Sequence, residues 1–166
     1  MSSSLDRVRL ALEAAGSPAR ILEMPGSTRT ARDAADACGC EIDQIAKSIL
    51  FAGRDTGELK LFVTAGGNQV DADLASALAG EPLGKADAQR IRDVTGFAIG
   101  GVAPLGHLQA LPVWMDPRLM DFDVVWAAAG TPRHVFALAP ADLVRVSGAH
   151  LAQFCIAPEG VKADSA

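Results

Sequence analysis

Hydrophobic positions along this chain follow two spacings, one typical of helices and one of strands. Leu5, Val8 and Leu12 recur at helical spacing, which predicts a first amphipathic helix that ends near Gly16. A shorter apolar run over 19–24 follows and predicts a strand. The chain therefore starts with a helix and then a strand.

A second helix is predicted over 31–38 by its end signals. Thr30 with Asp33 three residues later resembles a capping box, and Gly39 is a suitable stop. This cap is also the simplest role for Thr30.

The middle of the chain predicts a β-hairpin. Two apolar runs over 47–52 and 59–64 are separated by the loop 53–57, which contains two glycines. Further predicted elements are helices over 71–79 and 86–94, strands over 97–99, 111–115, 124–129 and 134–138, and a helix from Pro140.

Hairpin-joined strands mixed with helices favour an α+β fold over a doubly wound one. We expect a single domain over 1–166, with a curved, partly barrel-like mixed β-sheet surrounded by helices. Residues 158–166 are expected to form a loose tail.

Composition narrows the possible partners. The apolar runs are too short to cross a bilayer, and the first residues lack the pattern of a secretory signal, so we expect a cytoplasmic protein without membrane contact. The three cysteines and three histidines lack metal-ligand spacing, which predicts neither a metal nor another cofactor. A net charge of −5 argues against tight non-specific binding of nucleic acid, including DNA.

The segment 95–106 combines four glycines with Pro104. Glycine lets the main chain approach a ligand closely or adopt positive φ, and proline restrains the residue before it. The segment is therefore either a ligand site built from backbone amides or a set of turns around a buried strand.

Lys47 lies in an apolar strand, where alternation places it on the same face as Ile49 and Phe51. Burial would lower its pKa, whereas a nearby phosphate would favour its ammonium form. A lysine that extends its charged end to water from the end of a strand fits the pattern equally well.

Two other polar residues are weaker candidates for chemistry. Asp116 follows an apolar strand, but Pro117 beside it favours a role as a cap or in a turn. His134 could act as an acid or base, although a histidine in a hairpin is more often the partner of a neighbouring polar group.

Three segments in this order resemble the YbaK family of free-standing aminoacyl-tRNA deacylases, which is similar to the editing insertion domain of bacterial prolyl-tRNA synthetase. They are the strand 45–51 around Lys47, the glycine segment with Gly100 and Pro104, and the strand 125–129 that ends at Gly130. The resemblance extends from about Thr30 to Leu143. It implies hydrolysis in trans of the ester that joins a wrong amino acid to the 3′ end of a tRNA, typically the tRNA for proline.

The resemblance also implies site residues. Lys47, Gly100 and Gly101 would be catalytic, the lysine by holding phosphate or ribose and the loop by stabilising developing negative charge with its amides. With no evident protein nucleophile, a free ribose hydroxyl would help to activate the water. The candidate substrate-binding residues are Thr30, Val102, Ala103, Pro104, Asp116 and His134.

Specificity is narrowed by two departures from the family pattern. The chain has no tyrosine, and the stretch 133–136 lacks the acidic residue of the cysteine-specific members. We therefore expect alanine or a similarly small amino acid to be removed, with prolyl-tRNA synthetase or an elongation factor as a possible delivery partner.

Two non-catalytic functions compete with this interpretation. A tRNA-binding module would use a phosphate-binding patch of basic residues, and a synthetase-regulating module would dock through its helices. The predicted patch comprises Arg29, Arg32, Lys47, Lys60 and Lys85.

Overall fold

The computed structural model describes residues 3–156, so the tail predicted over 158–166 lies outside the described residues. The helices are α1 (Ser4–Ala14), α2 (Ala31–Cys38), α3 (Ala72–Ala79), α4 (Ala88–Thr95) and α5 (Pro140–Ser147). The strands are β1 (Ile21–Glu23), β2 (Ile45–Gly53), β3 (Leu59–Ala65), β4 (Gln69–Val70), β5 (Leu83–Lys85), β6 (Val113–Met115), β7 (Val125–Ala128), β8 (His134–Leu138), β9 (His150–Leu151) and β10 (Cys155–Ile156). Short 3₁₀ helices cover Ile42–Gln44 and Pro117–Asp121.

The large sheet is mixed, as the sequence predicts. Its strand order is β1-β8-β7-β2-β3-β6-β9, and β5 also pairs with β2. The pairs β2–β7, β3–β6 and β6–β9 are parallel, whereas β2–β3 is the predicted antiparallel hairpin. The α+β fold class is therefore confirmed.

Strand β3 lies at the centre of the fold and is buried along its whole length. Leu61 and Val63 join the main core, to which α1, α4 and α5 contribute side chains. Phe62 points to the opposite face, where its ring stacks on Trp114 at 5.0 Å between centroids and meets Phe154 edge to face. Burial on both faces explains why five of the seven residues of β3 are apolar.

The ends of α2 match their prediction. The Thr30 side chain accepts a hydrogen bond from the Asp33 amide at 3.0 Å, and Gly39 adopts a left-handed conformation with φ of 68°. The local end signals were therefore sufficient to define this helix.

The strand predicted over 97–99 is wrong. Gly96 ends α4 in a left-handed conformation, and the Thr95 hydroxyl accepts a hydrogen bond from the Phe97 amide. The Gly101 amide then donates to the Ala98 carbonyl at 3.0 Å, which closes a turn. Phe97 is fully buried, so its apolar signal reflects a core anchor rather than a strand.

Other differences concern short elements. Strands β4, β5, β9 and β10 have two or three residues each and were not predicted. Lys47 is the third residue of β2 rather than its first, because pairing with β7 extends the strand back to Ile45. Among residues 3–156, no helix is both long and apolar enough to span a bilayer.

Candidate functional site

A cavity of about 640 Å³ opens where β2 separates from its neighbours. Strand β7 pairs with β2 only at Ile45 and Ala46, and β5 pairs with it only from Phe51 to Gly53. The gap between these two pairings forms one wall. The start of α2, α4, the glycine segment, β7 and β8 contribute the others.

The glycine segment forms the mouth of this cavity through Ile99, Gly100 and Val102. Gly100 has a φ of 95°, and a Cβ there would lie 2.7 Å from Cγ of Arg29. A side chain at Gly101 would lie 2.7 Å from the carbonyl carbon of Thr131. Both glycines are therefore required by local geometry: the first by φ and the second by close backbone packing.

The amides of this segment differ in their availability. The Gly101 N–H is already bound to the Ala98 carbonyl. Within residues 3–156, the N–H groups of Gly100 and Val102 donate to no protein acceptor. Since Gly100 and Val102 line the cavity, their amides are the ones available to a bound anion or polarised carbonyl.

Ala103 and Pro104 are buried behind the mouth and do not line the cavity. The Ala103 carbonyl lies 2.7 Å from Nε2 of His107, so that nitrogen carries the proton and donates it. His107 also packs edge to face on Phe97. These residues hold the segment in place, and the sequence analysis did not single out His107.

Lys47 lines the cavity wall on β2 and is half-buried. Its Nζ donates to the Gly66 carbonyl at 3.1 Å. Burial lowers the pKa of Lys47, although the nearby Cys155, Asp43 and Asp116 act in the opposite direction. The ammonium group is therefore incompletely solvated, which suits it to contact an anionic ligand.

Asp116 lies near Lys47 but outside the cavity lining. It is 2% exposed and accepts hydrogen bonds from the Ala65 amide, the Asn68 side chain and the Arg118 amide. The last of these caps the 3₁₀ helix that starts at Pro117, as the sequence favours. The structure thus does not bring Asp116 to the cavity lining.

His134 is placed on the opposite side of β8 from the cavity. Val135 lines the first cavity, whereas His134 faces a second one of about 570 Å³ between α1 and β1. Its Nδ1 lies 2.7 Å from Oγ1 of Thr131. Thr30, in contrast, lines the first cavity with Lys47 and Gly100.

Three of the five predicted basic residues are exposed around the cavity. Arg29 and Lys85 line it, and Arg32 is the exposed second residue of α2, next to the lining residue Ala31. Lys60 does not belong to this patch, because it is 6% exposed and paired with Glu58 and Glu81. The cationic rim is thus Arg29, Arg32 and Lys85, with Lys47 inside.

None of the three thiols is suited to nucleophilic attack. Burial raises the pKa of Cys38 to about 11 and also raises those of Cys40 and Cys155. Among residues 3–156, no three His, Cys, Asp or Glu side chains cluster as a metal ion would require. The cavity lining therefore offers backbone amides, hydroxyls, the ammonium groups of Lys47 and Lys85 and the guanidinium of Arg29.

We predict that the stability of the folded protein depends on pH through His107, which holds the glycine segment in place. Burial lowers its pKa from 6.5, so the folded protein resists a proton that the unfolded chain accepts. Stability should fall as the pH drops from 6.5 towards that lowered value, with a slope of at most about 1.4 kcal/mol per pH unit. Urea unfolding of the native protein and of His107→Gln at several pH values measures this loss. An identical pH dependence in both proteins would contradict the prediction.

Comparisons with known proteins place this chain in a family. The sequence model of the aminoacyl-tRNA editing domain family matches residues 26–146. A crystal structure described as a candidate trans-editing enzyme for prolyl tRNA synthetase is 43% identical, with a TM-score of 0.86 over 94% of this chain and 99% of its own.

Two further relatives also match most of this chain. A scaffold protein used in computational epitope grafting is 38% identical, with a TM-score of 0.86 over 95% of this chain and all of its own. The uncharacterized protein YwhH of Bacillus subtilis (strain 168) is 29% identical over 127 residues, which are 76% of this chain and 80% of YwhH. With the editing-domain match over most of its length, the chain belongs to the aminoacyl-tRNA editing domain family.

Proposed function

We propose that this protein is a trans-acting deacylase that hydrolyses mischarged aminoacyl-tRNA, with alanine on the tRNA for proline as the preferred substrate. The observation that carries the proposal is one cavity that holds the free amides of Gly100 and Val102 together with the half-buried Lys47. Membership of the editing-domain family supplies the substrate class.

The proposed reaction uses water as the nucleophile. Water adds to the ester carbonyl, the amides of Gly100 and Val102 stabilise the oxyanion, and the bond to the ribose oxygen then breaks. One proton of the water passes to the leaving ribose oxygen, the other is released to solvent, and the amino acid leaves as its carboxylate. Because no thiol, imidazole or carboxylate of residues 3–156 lines the cavity, the proposal assigns the orientation or activation of the water to the adjacent ribose hydroxyl.

Small side chains near Thr30 support a small amino acid as the substrate. The cavity wall there includes Ala31, Ala34, Ala46 and Ala127. One methylene group in an apolar pocket changes binding by about 1–3 kcal/mol, so discrimination against proline depends on excluding its ring.

The cationic rim of Arg29, Arg32 and Lys85 supports contact with the phosphates of the acceptor end. The protein as a whole carries a net charge of −5, which limits its affinity for tRNA. Delivery of the mischarged tRNA by prolyl-tRNA synthetase or an elongation factor would compensate for that limit.

Release of labelled amino acid tests the proposal directly. The tRNA for proline is charged in separate reactions with alanine, serine, cysteine, 2-aminobutyrate or proline and mixed with substoichiometric protein. We expect multiple turnovers on alanyl-tRNA, with prolyl-tRNA spared. Protection of the ester without turnover would contradict the proposal and favour a tRNA-binding module.

A further inference from the structure

The gap in the sheet leaves one edge of β2 unpaired inside the cavity. The Gly53 amide donates to Glu58 on the β3 side, whereas the Arg54 amide donates to Pro82 on the β5 side. Successive residues of a strand direct their backbone groups to alternate sides. Ser48 and Leu50 have the same parity as Arg54, so their N–H and C=O groups point into the gap.

Of these groups, the Leu50 C=O takes part in the pairing of Phe51 with Lys85, whereas the Ser48 N–H and C=O and the Leu50 N–H have no protein partner in the described part of the chain. Pairing with β7 stops at Ala46, and pairing with β5 begins at Phe51. The hydroxyl of Ser48 is also buried without a hydrogen-bond partner. An unpaired strand edge along a cavity wall presents a row of backbone donors and acceptors, so a polar molecule is the occupant that this wall favours.

We propose that this open edge of β2 binds the terminal adenine of the tRNA 3′ end. The Leu50 N–H donates to adenine N1, and the Ser48 C=O accepts from the adenine N6 amino group. Along a strand edge, the C=O of one residue lies beside the N–H of the residue two positions later. The N6 amino donor and the N1 acceptor of adenine are also neighbours, so they can bind to such a pair at the same time. This assignment rests on the proposed deacylase function and adds the means of positioning its substrate.

The placement agrees with the dimensions of the substrate. Leu50 lies three residues from Lys47, which is about 10 Å along a strand. That length accommodates the ribose between the base and the ribose or phosphate contact of Lys47. Apolar side chains of Leu83, Ala86 and Ile91 line the cavity at the β5 end and provide surfaces for the faces of the base.

Substrates with altered terminal bases test the proposal. The amino acid released fastest in the turnover panel is placed on tRNA ending in adenosine, purine riboside, 1-deazaadenosine or 7-deazaadenosine, assembled by ligation of chemically acylated 3′ dinucleotides. We expect kcat/KM to fall about tenfold or more when N6 or N1 is missing, because the buried Ser48 or Leu50 group loses its partner. Loss of N7 should change kcat/KM by less than about twofold.

A backbone change in the protein provides the matching test. Replacement of Leu50 by its α-hydroxy acid removes only the N–H, and urea unfolding checks that the fold is intact. This variant should lose about tenfold on the adenosine substrate and nothing further on the 1-deazaadenosine substrate.

The outcomes separate the two proposals. Equal turnover of all four substrates would overturn the adenine assignment and leave deacylation standing. An equal loss of kcat/KM in the backbone variant on every substrate would place the amino acid, not adenine, at the open edge. That result would also overturn the adenine assignment. Failure to hydrolyse the natural adenosine substrate would contradict the deacylase function and this inference with it.

Discussion

Replacement of Lys47 by methionine should lower kcat/KM for deacylation by at least about 100-fold while the fold stays intact. Methionine keeps the length and apolar stem of the side chain but removes the ammonium group from the cavity wall. A fixed charge that contacts the substrate or its developing negative charge is typically worth two to three orders of magnitude in rate. Hydrolysis of alanyl-tRNA under single-turnover conditions measures the effect.

The stability of the same variant separates a functional role from a structural one. Burial lowers the pKa of Lys47 from 10.5, so the folded protein disfavours the ammonium form more than the unfolded chain does. The native protein should therefore gain stability as the pH rises from the lowered pKa towards 10.5, and the methionine variant should lack that gain. At pH 7 the variant should be at least as stable as the native protein in urea.

Lys47→Arg is the matched control, because it restores a positive charge with a different shape. Partial recovery of activity in this variant would show that charge contributes to turnover. Full activity in Lys47→Met would contradict the proposed role. A loss of folded protein with unchanged activity per folded molecule would show that Lys47 stabilises the fold and does not contribute to turnover.

The longer elements of the fold could be predicted because their signals are local. The β2–β3 hairpin and the caps of α2 follow from alternation, turn residues and a capping threonine. The segment 97–99 could not be predicted, because the apolar Phe97 is as compatible with a core anchor as with a strand. Short strands such as β9 exist only because β6 lies beside them.

The structure places several of the candidate site residues along one cavity, and their roles stay predictions. Thr30, Lys47 and Gly100 come together in one cavity, as the resemblance implied. The position of Asp116 depends on Ala65 and Asn68, which are about fifty residues away in sequence. Such long-range partners leave no periodic signal in the residues around Asp116. The open edge of β2 was equally inaccessible, because it depends on where two other strands stop pairing.

Replacement of Gly101 by alanine should destabilise the protein by about 1–3 kcal/mol and lower kcat/KM further than unfolding explains. The new Cβ would lie 2.7 Å from the carbonyl carbon of Thr131, and backbone cannot rotate away as a side chain can. Gly26→Ala is the matched control, since a Cβ there meets nothing within 4 Å and its φ is not positive. Urea unfolding and single-turnover hydrolysis of both variants provide the comparison.

The catalytic loss arises because Gly101 lies between the lining residues Gly100 and Val102 and packs against the backbone of Thr131. Relief of the clash must displace either the neighbouring amides of Gly100 and Val102 or the turn at Thr131. The turn at Thr131 also holds the segment that leads into α2. The Pro132 carbonyl accepts hydrogen bonds from both the amide and the hydroxyl of Thr28. A shift of about 1 Å in positioning groups costs roughly 100-fold in rate, which is the loss expected for fully folded Gly101→Ala protein. Native kcat/KM in that variant would refute the assignment of the oxyanion site to this loop.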